Sequence, residues 1–335
     1  MLRLPAFRFR IARSLEEAAA ILAGEGAAEG QPVRAVAGGT DLWPNMKRRH
    51  QKASTVVSLM RIPGLAGVRD RAGGELRIGA TTPLSDLAAD PVVRARYPAL
   101  AKAVESISSP VLRHMGTLGG NVCLDTRCTY YNQSEEWRRA IDYCMKEQGT
   151  VCWVAPGSPR CWAISASDSA PILCALGARA HLASRAGTRE LPVQGLYRDD
   201  GIDYLAKRPE EIVTEIVLPA ESDATRCRSS FQKLRRRGSI DFAVLDVAAA
   251  VWTDGGGAVT AARIVLGAVA SLPSAATAAA AALIGRPLSA ETIAAAARLA
   301  RDAATPLDNT DFQAQWRGAM VERFTAAALS ELAPA

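Results

Sequence analysis

Five of the chain's seven cysteines fall between Cys123 and Cys161. Thiols gathered so closely have three chemical uses: an iron–sulfur cluster, a zinc site, or buried and reactive free thiols. Cys128, Cys144, Cys152 and Cys161 are separated by 16, 8 and 9 positions. Structural zinc usually draws on ligand pairs at close C-x2–4-C spacing, and bacterial ferredoxins have a short spacing of their own; neither occurs here. Spacing alone leaves all three uses open. The neighbours favour a cluster. Tyr130, Tyr131, Trp137, Tyr143, Trp153 and Trp162 can shield it from water, and Arg127, Arg138, Arg139, Lys146 and Arg160 can offset the charge of four thiolates. Those basic residues also suit an ordinary solvated loop. Cys123 could substitute for Cys128, whereas Cys174 and Cys227 read as structural.

Two glycine-rich loops supply a second kind of chemistry. Val33 to Ala37 is a short apolar run leading into Gly38-Gly39-Thr40-Asp41, and Gly116, Gly119 and Gly120 surround Thr117 just before the cysteines. A strand feeding glycines and then polar residues makes a cradle of backbone donors for phosphate oxygens. Neither loop is G-x-G-x-x-G, and no Lys-Ser/Thr follows the glycines, so a Rossmann domain and a P-loop are disfavoured. A pair of such loops suits a dinucleotide lying between two lobes. The three histidines, His50, His114 and His181, are far apart, which gives no support to a Ser-His-Asp relay.

The elements that must position these loops are legible from local pattern. Ser14-Leu15-Glu16-Glu17 is a capping box, and the following Leu15, Ala18, Ile21 and Leu22 recur at helical spacing up to a stop near Gly24. Strands are expected at 55–59, 75–80, 178–182, 212–218, 230–234 and 242–252. Thr82-Pro83 reads as an N-cap opening a helix towards Ala89, a second helix covers 99–106, and Asp168 caps an apolar segment at 170–176. Asp254-Gly255-Gly256-Gly257 is a hairpin turn. Alanine-rich helices are expected at 274–284, 290–304 and 311–332. The polar stretch Pro219 to Asp223 marks a boundary, which gives three units: a first lobe at 1–60, a second lobe at 61–220 carrying an insertion at about 123–165, and a C-terminal α+β domain at 221–335.

Composition sets the class. The chain has 335 residues, 49% hydrophobic and 22% charged, with a net charge of +6. That is a globular composition with room for more than one core. No apolar run approaches the ~20 residues that span a bilayer, and the basic N-terminus has no continuous apolar stretch of a secretion signal. Unpaired thiols then point to a cytoplasmic protein. The densest basic run, Lys233 to Arg237, is too short for a nucleic-acid stripe.

Ala35-Val36-Ala37-Gly38-Gly39-Thr40-Asp41-Leu42 and Thr117-Leu118-Gly119-Gly120-Asn121 resemble the paired FAD-binding motifs of the molybdenum hydroxylase flavoprotein subunits, the medium subunits of carbon monoxide, xanthine and aldehyde dehydrogenases. The resemblance covers nearly the whole chain. It implies an α+β fold, a two-lobed FAD-binding domain followed by the C-terminal α+β domain. It also implies that 35–42 and 117–121 wrap the FAD pyrophosphate, that Ile107 and Val213 pack on the cofactor, that Asp168 bonds its polar chain, and that Lys233 lies near the flavin. Trp43 and Pro44 depart from the smaller aliphatics of that family. The insertion, with CLDTRCTYY at its start, is similar to the β subunits of 4-hydroxybenzoyl-CoA reductases, and this implies a 4Fe-4S cluster on Cys128, Cys144, Cys152 and Cys161. Such chains work with a molybdenum-cofactor large subunit and a 2Fe-2S small subunit and take electrons from ferredoxin. The expected role is electron transfer in the dehydroxylation of 4-hydroxybenzoyl-CoA, with no catalytic acid or base on this chain. An oxidative molybdenum hydroxylase subunit and a zinc-stapled nucleotide-binding scaffold are the alternatives.

Overall fold

The Ser14 hydroxyl accepts the Glu17 amide at 3.1 Å and opens the helix Leu15–Leu22, which satisfies one of the donors that a helix start leaves unpaired. Glu17 reaches back to the Arg13 amide at 2.8 Å, one residue before the cap. Gly24, at φ +95°, takes the left-handed conformation that stops the helix. The computed structural model describes residues 2–24, 32–70, 74–220 and 227–334. Part of the boundary expected at Pro219 to Asp223 lies outside the described residues.

Three sheets follow one another along the chain. The first is parallel, in the order Arg8–Ile11, Thr55–Ser58, Val33–Val36; Ala18 and Ile21 of the first helix pack on its Val57. The second has five antiparallel strands, in the order Val68–Asp70, Leu76–Gly79, Ile212–Leu218, Arg179–Ser184, Gly187–Pro192. The third is antiparallel, in the order Ser274–Ala275, Val259–Gly267, Leu245–Thr253, Arg228–Leu234.

The strand Leu245–Thr253 is buried on both faces, so its period-2 alternation serves two cores. Leu245, Val247, Ala249 and Val251 face the helices Ala290–Asp302 and Ala314–Ser330. Ala248 and Ala250 join the core built from the second sheet and the helices Pro98–Glu105 and Ser169–Ala175. Among the described residues no helix is long and apolar enough to cross a membrane.

Several local expectations change in the structure. Thr82 is not a helix cap: its hydroxyl donates to the Gly79 carbonyl at 2.6 Å and accepts the Gly67 amide at 2.9 Å, and the helix Leu84–Ala89 starts from Pro83 without a side-chain cap. The strand expected from Phe242 starts only at Leu245; Ile240 (φ +55°) donates its amide to the Ser108 carbonyl at 2.9 Å and bends the preceding segment away. At 274–284 the chain first adds a two-residue edge strand and turns helical only at Thr277–Ala281.

Candidate functional site

Gly38 is where the two glycine loops meet. A Cβ built on it would sit 1.5 Å from the Met115 carbonyl oxygen, so only glycine allows this approach. Gly119 is closed in the same way by Ala80, at 2.8 Å from its carbonyl oxygen. Gly39, at φ +73°, lies under the indole of Trp43, which stacks on Phe7 with ring centroids 5.6 Å apart. The bulk of Trp43 thus folds over the outside of the loop.

The loops bound one cavity of about 530 Å³, within the usual range for small-molecule and cofactor sites. Its wall includes Ala35 through Leu42, Ile107, Thr117, Gly119, Gly120, Asn121, Asp168 and Val213. Two expected residues stand back from it. Leu118 is fully buried in the core, and Lys233 acts through Asp168, with Nζ 2.8 Å from Oδ1. Phe242, Asp241 and Ile240, from the bend before the strand Leu245–Thr253, also line the cavity. Phe242 reads as the start of a strand, which hid its role, and Ile240 and Asp241 carry no local signal for theirs.

The two loops differ in what they offer. In the second, the Leu118 amide donates to the Thr82 carbonyl, that of Gly119 to Ala80 and that of Gly120 to the Thr117 hydroxyl, at 3.1, 2.8 and 3.2 Å. In the first, none of the amides from Ala37 to Asp41 reaches an acceptor among the described residues. Unpaired amides on a cavity wall match an oxygen-rich anion such as a pyrophosphate. Asp168 adds an acceptor. It is the N-cap residue of Ser169–Ala175 but makes no capping bond; the Ser167 hydroxyl takes the Ala170 amide at 3.1 Å instead. Its Oδ1 is paired with the Lys233 ammonium at 2.8 Å. These features fit the polar half of a dinucleotide cofactor.

The cysteine segment wraps against the same loop. The Arg127 guanidinium pairs with Asp41, and its Nη1 donates to Asn45 Oδ1 at 3.2 Å. The Tyr131 hydroxyl donates to the His50 carbonyl at 2.6 Å. Cys128, Cys144, Cys152 and Cys161 are all buried and line one small cavity with Tyr131 and Lys146, whereas Cys123 lines the larger cavity instead. No three Cys, His, Asp or Glu side chains among the described residues are placed to hold a single metal ion. The space between the four thiols is small, about 10 Å³. Burial pushes the Cys128 thiol up to about 12 and Cys161 to about 11, with the other thiols adding to the shift, so both are neutral thiols near pH 7.

The positions of Cys128 and Cys161 depend on the far end of the chain. The Thr129 amide donates to the Asn309 carbonyl at 2.8 Å, and Asn309 Nδ2 donates to the Trp162 carbonyl at 2.7 Å. Gly201 leaves room for the Cys161 sulfur, which a Cβ there would approach to 2.6 Å. Sequence reading found neither residue, because nothing local marks them.

The expected charge offset by basic residues is reduced. Arg127 pairs with Asp41, Arg138 with Glu147 (2.6 Å), Arg139 with Glu135 (3.6 Å), Lys146 with Asp125 (2.8 Å) and Arg160 with Asp199 (2.8 Å). Each cation has its own carboxylate, so the shell adds little net charge. The run 233–237 is likewise engaged. Lys233 meets Asp168, Arg235 the Ser106 carbonyl (2.9 Å), Arg236 Asp311 (3.2 Å) and Arg237 Asp241 (2.9 Å).

The profile of the family described as FAD binding domain in molybdopterin dehydrogenase matches residues 5–221. The chain belongs to that family. Residues 229–332 match the CO dehydrogenase flavoprotein C-terminal domain. The carbon monoxide dehydrogenase medium chain of Hydrogenophaga pseudoflava is 28% identical over 98% of this chain and 99% of its own. The aldehyde oxidoreductase FAD-binding subunit of Escherichia coli is 31% identical over 71% of this chain and 75% of its own. The solved carbon monoxide dehydrogenase of Hydrogenophaga pseudoflava superposes with a TM-score of 0.79 at 27% identity, covering 98% of this chain and 97% of that one. The fold is therefore that of the family's FAD-binding domain followed by its C-terminal α+β domain.

Proposed function

We propose that this chain is the FAD-binding, electron-transferring subunit of a molybdenum hydroxylase-type oxidoreductase, with the organic substrate transformed on a partner subunit. The observation that carries this reading is the single cavity shared by both glycine loops, walled by the unpaired amides of 37–41 and by Asp168. FAD would supply the one- and two-electron chemistry there, and the chain supplies its binding, orientation and electrostatic setting. The amides from Ala37 to Asp41 would hold the pyrophosphate, Asp168 the polar chain, and Ile107 and Val213 would pack on the cofactor. The partners would be a molybdenum-cofactor large subunit and a 2Fe-2S small subunit. The relatives are dehydrogenases and an aldehyde oxidoreductase, which favours an oxidative complex with electrons leaving through FAD.

A second reading is favoured by the four thiols around one cavity. In it Cys128, Cys144, Cys152 and Cys161 hold a 4Fe-4S cluster, ferredoxin delivers electrons, and the complex is a reductase of the 4-hydroxybenzoyl-CoA type. Anaerobic purification with flavin, iron and sulfide counts on one sample tests both. Stoichiometric FAD is expected; its absence sinks the first reading. About four iron and four sulfide per chain is the expectation of the second, and a chain with FAD but no iron overturns it. Titration with reduced ferredoxin against NADH or quinone then decides the direction of electron flow.

A further inference from the structure

The strand Leu245–Thr253 carries one anomaly. Its even positions turn towards the core of the second sheet, where Ala248 and Ala250 are fully buried, and Asp246 occupies the same face at 1% exposure. A carboxyl group at a core position is costly unless it is neutral or paired. Its cross-strand neighbours are Lys233 on one side and Gly267 on the other. A Cβ at Gly267 would come within 3.1 Å of Asp246 Oδ2 and 2.7 Å of Pro171 Cγ, so glycine keeps the space that this carboxyl needs.

The carboxyl groups of Asp246 and Asp168 lie against each other across the contact between the strand and the helix Ser169–Ala175, close enough to share a hydrogen bond, and the buried Oδ1 of Asp246 has no other partner among the described residues. Two carboxylates cannot share such a bond unless one carries a proton. The charged groups facing the pair are Lys233, from the adjacent strand, and Arg235 just beyond it. Lys233 pairs with Asp168, at 2.8 Å from Oδ1. Burial first, and then the charge of Asp168, raise Asp246 well above the ordinary carboxylate range. The proton therefore belongs to Asp246.

We infer that Asp246 is a positioning residue for the cofactor cavity: as a neutral acid it donates to Asp168 and holds that carboxylate, balanced by Lys233, on the cavity wall. The inference rests on the cavity being an FAD site. Asp168 lines it and Asp246 does not, so Asp246 acts only through its neighbour. The strand thereby couples the C-terminal sheet to the cofactor through one proton.

The test compares Asp246→Asn and Asp246→Ala in the full chain, with FAD as the probe. Asparagine is neutral, has nearly the same shape and can still donate, so its FAD affinity at neutral pH is expected within about twofold of the native chain. Alanine leaves Asp168 without its donor, and the affinity is expected to fall about tenfold. As pH rises the native chain is expected to lose affinity when Asp246 ionises beside Asp168, and Asp246→Asn is expected to show no such loss. A carbonyl-stretch infrared band of a buried protonated acid is expected in the native chain and not in Asp246→Asn. Parallel pH profiles, or the same band in both, would overturn the inference. Should the native chain bind no FAD, the FAD reading fails, and the infrared difference still decides whether Asp246 carries a proton.

Discussion

Arg127 pairs its guanidinium with the carboxylate of Asp41, joining the cysteine segment to the last residue of the first glycine loop. Asp41 is held on its other side by Asn45, whose Nδ2 donates to Oδ2 at 2.8 Å. Burial raises the Asp41 carboxyl, and Arg127 works against that rise. The loop that offers free amides to the cavity is thus set by a side chain from the insertion.

Replacing Arg127 with leucine should therefore weaken FAD binding, although Arg127 does not line the cofactor cavity. Asp41 is partly exposed, so the loss is expected at about 1–2 kcal/mol, below that of a fully buried pair. Flavin retained after gel filtration measures it. An unchanged FAD affinity would mean that the pair does not set the loop.

Gly38→Ala should have a larger effect at the same site. The new methyl group would meet the Met115 backbone, which has no flexible end to move aside, and the two loops would be forced apart. A stability loss of about 2 kcal/mol and loss of FAD are expected, read by thermal melting and flavin absorbance.

Gly201→Ala should do the reverse. Its Cβ would press on the Cys161 sulfur at 2.6 Å and on the Ala163 amide at 2.7 Å, away from the flavin cavity. If the second reading holds, iron and sulfide are expected to fall while FAD stays. Full iron in this variant would argue that Cys161 is not a ligand.

His50 predicts the acid behaviour of the fold. Its ring packs on Tyr131 at 4.7 Å, with Nε2 3.0 Å from the Gln133 carbonyl and no partner among the described residues for Nδ1. Burial, then the charge of Arg138, lower it from 6.5 to about 4. Between those values the unfolded chain binds a proton that the folded chain does not, so stability is full above about 6.5 and is lost as pH falls towards 4. The loss across this window should be on the order of 2 kcal/mol after solvent screening. His50→Gln should flatten the dependence in melting curves taken across this range; an equally steep curve would assign the acid sensitivity to other groups.

What the sequence discloses here is chiefly local. Ser14 caps its helix, Gly24 stops it, and Asp254 accepts the Gly256 and Ala258 amides at 2.9 Å to close the hairpin; each signal lies within a few residues of its effect. The cofactor loops are legible because glycine beside a strand has a restricted set of uses. Partners are not legible. Arg127 reads as a counter-ion for thiolates until the fold brings it to Asp41, far back in the chain, and Arg138 and Lys146 likewise meet carboxylates. Asp246 looks like one polar residue in a strand until Asp168 and Gly267 are seen beside it. Composition and period report which face is buried, not which charge waits there.

Asn309 has a further consequence, for the order in which the molecule is made. It ties Thr129 to Trp162 and is itself steadied by Arg317, whose Nη1 lies 3.4 Å from Oδ1. Every thiol of the segment has left the ribosome long before residue 309 is synthesised. The frame around the thiols is completed last, by the turn between the two C-terminal helices. A nascent or truncated chain would present its thiols in the right sequence but without the frame that holds them.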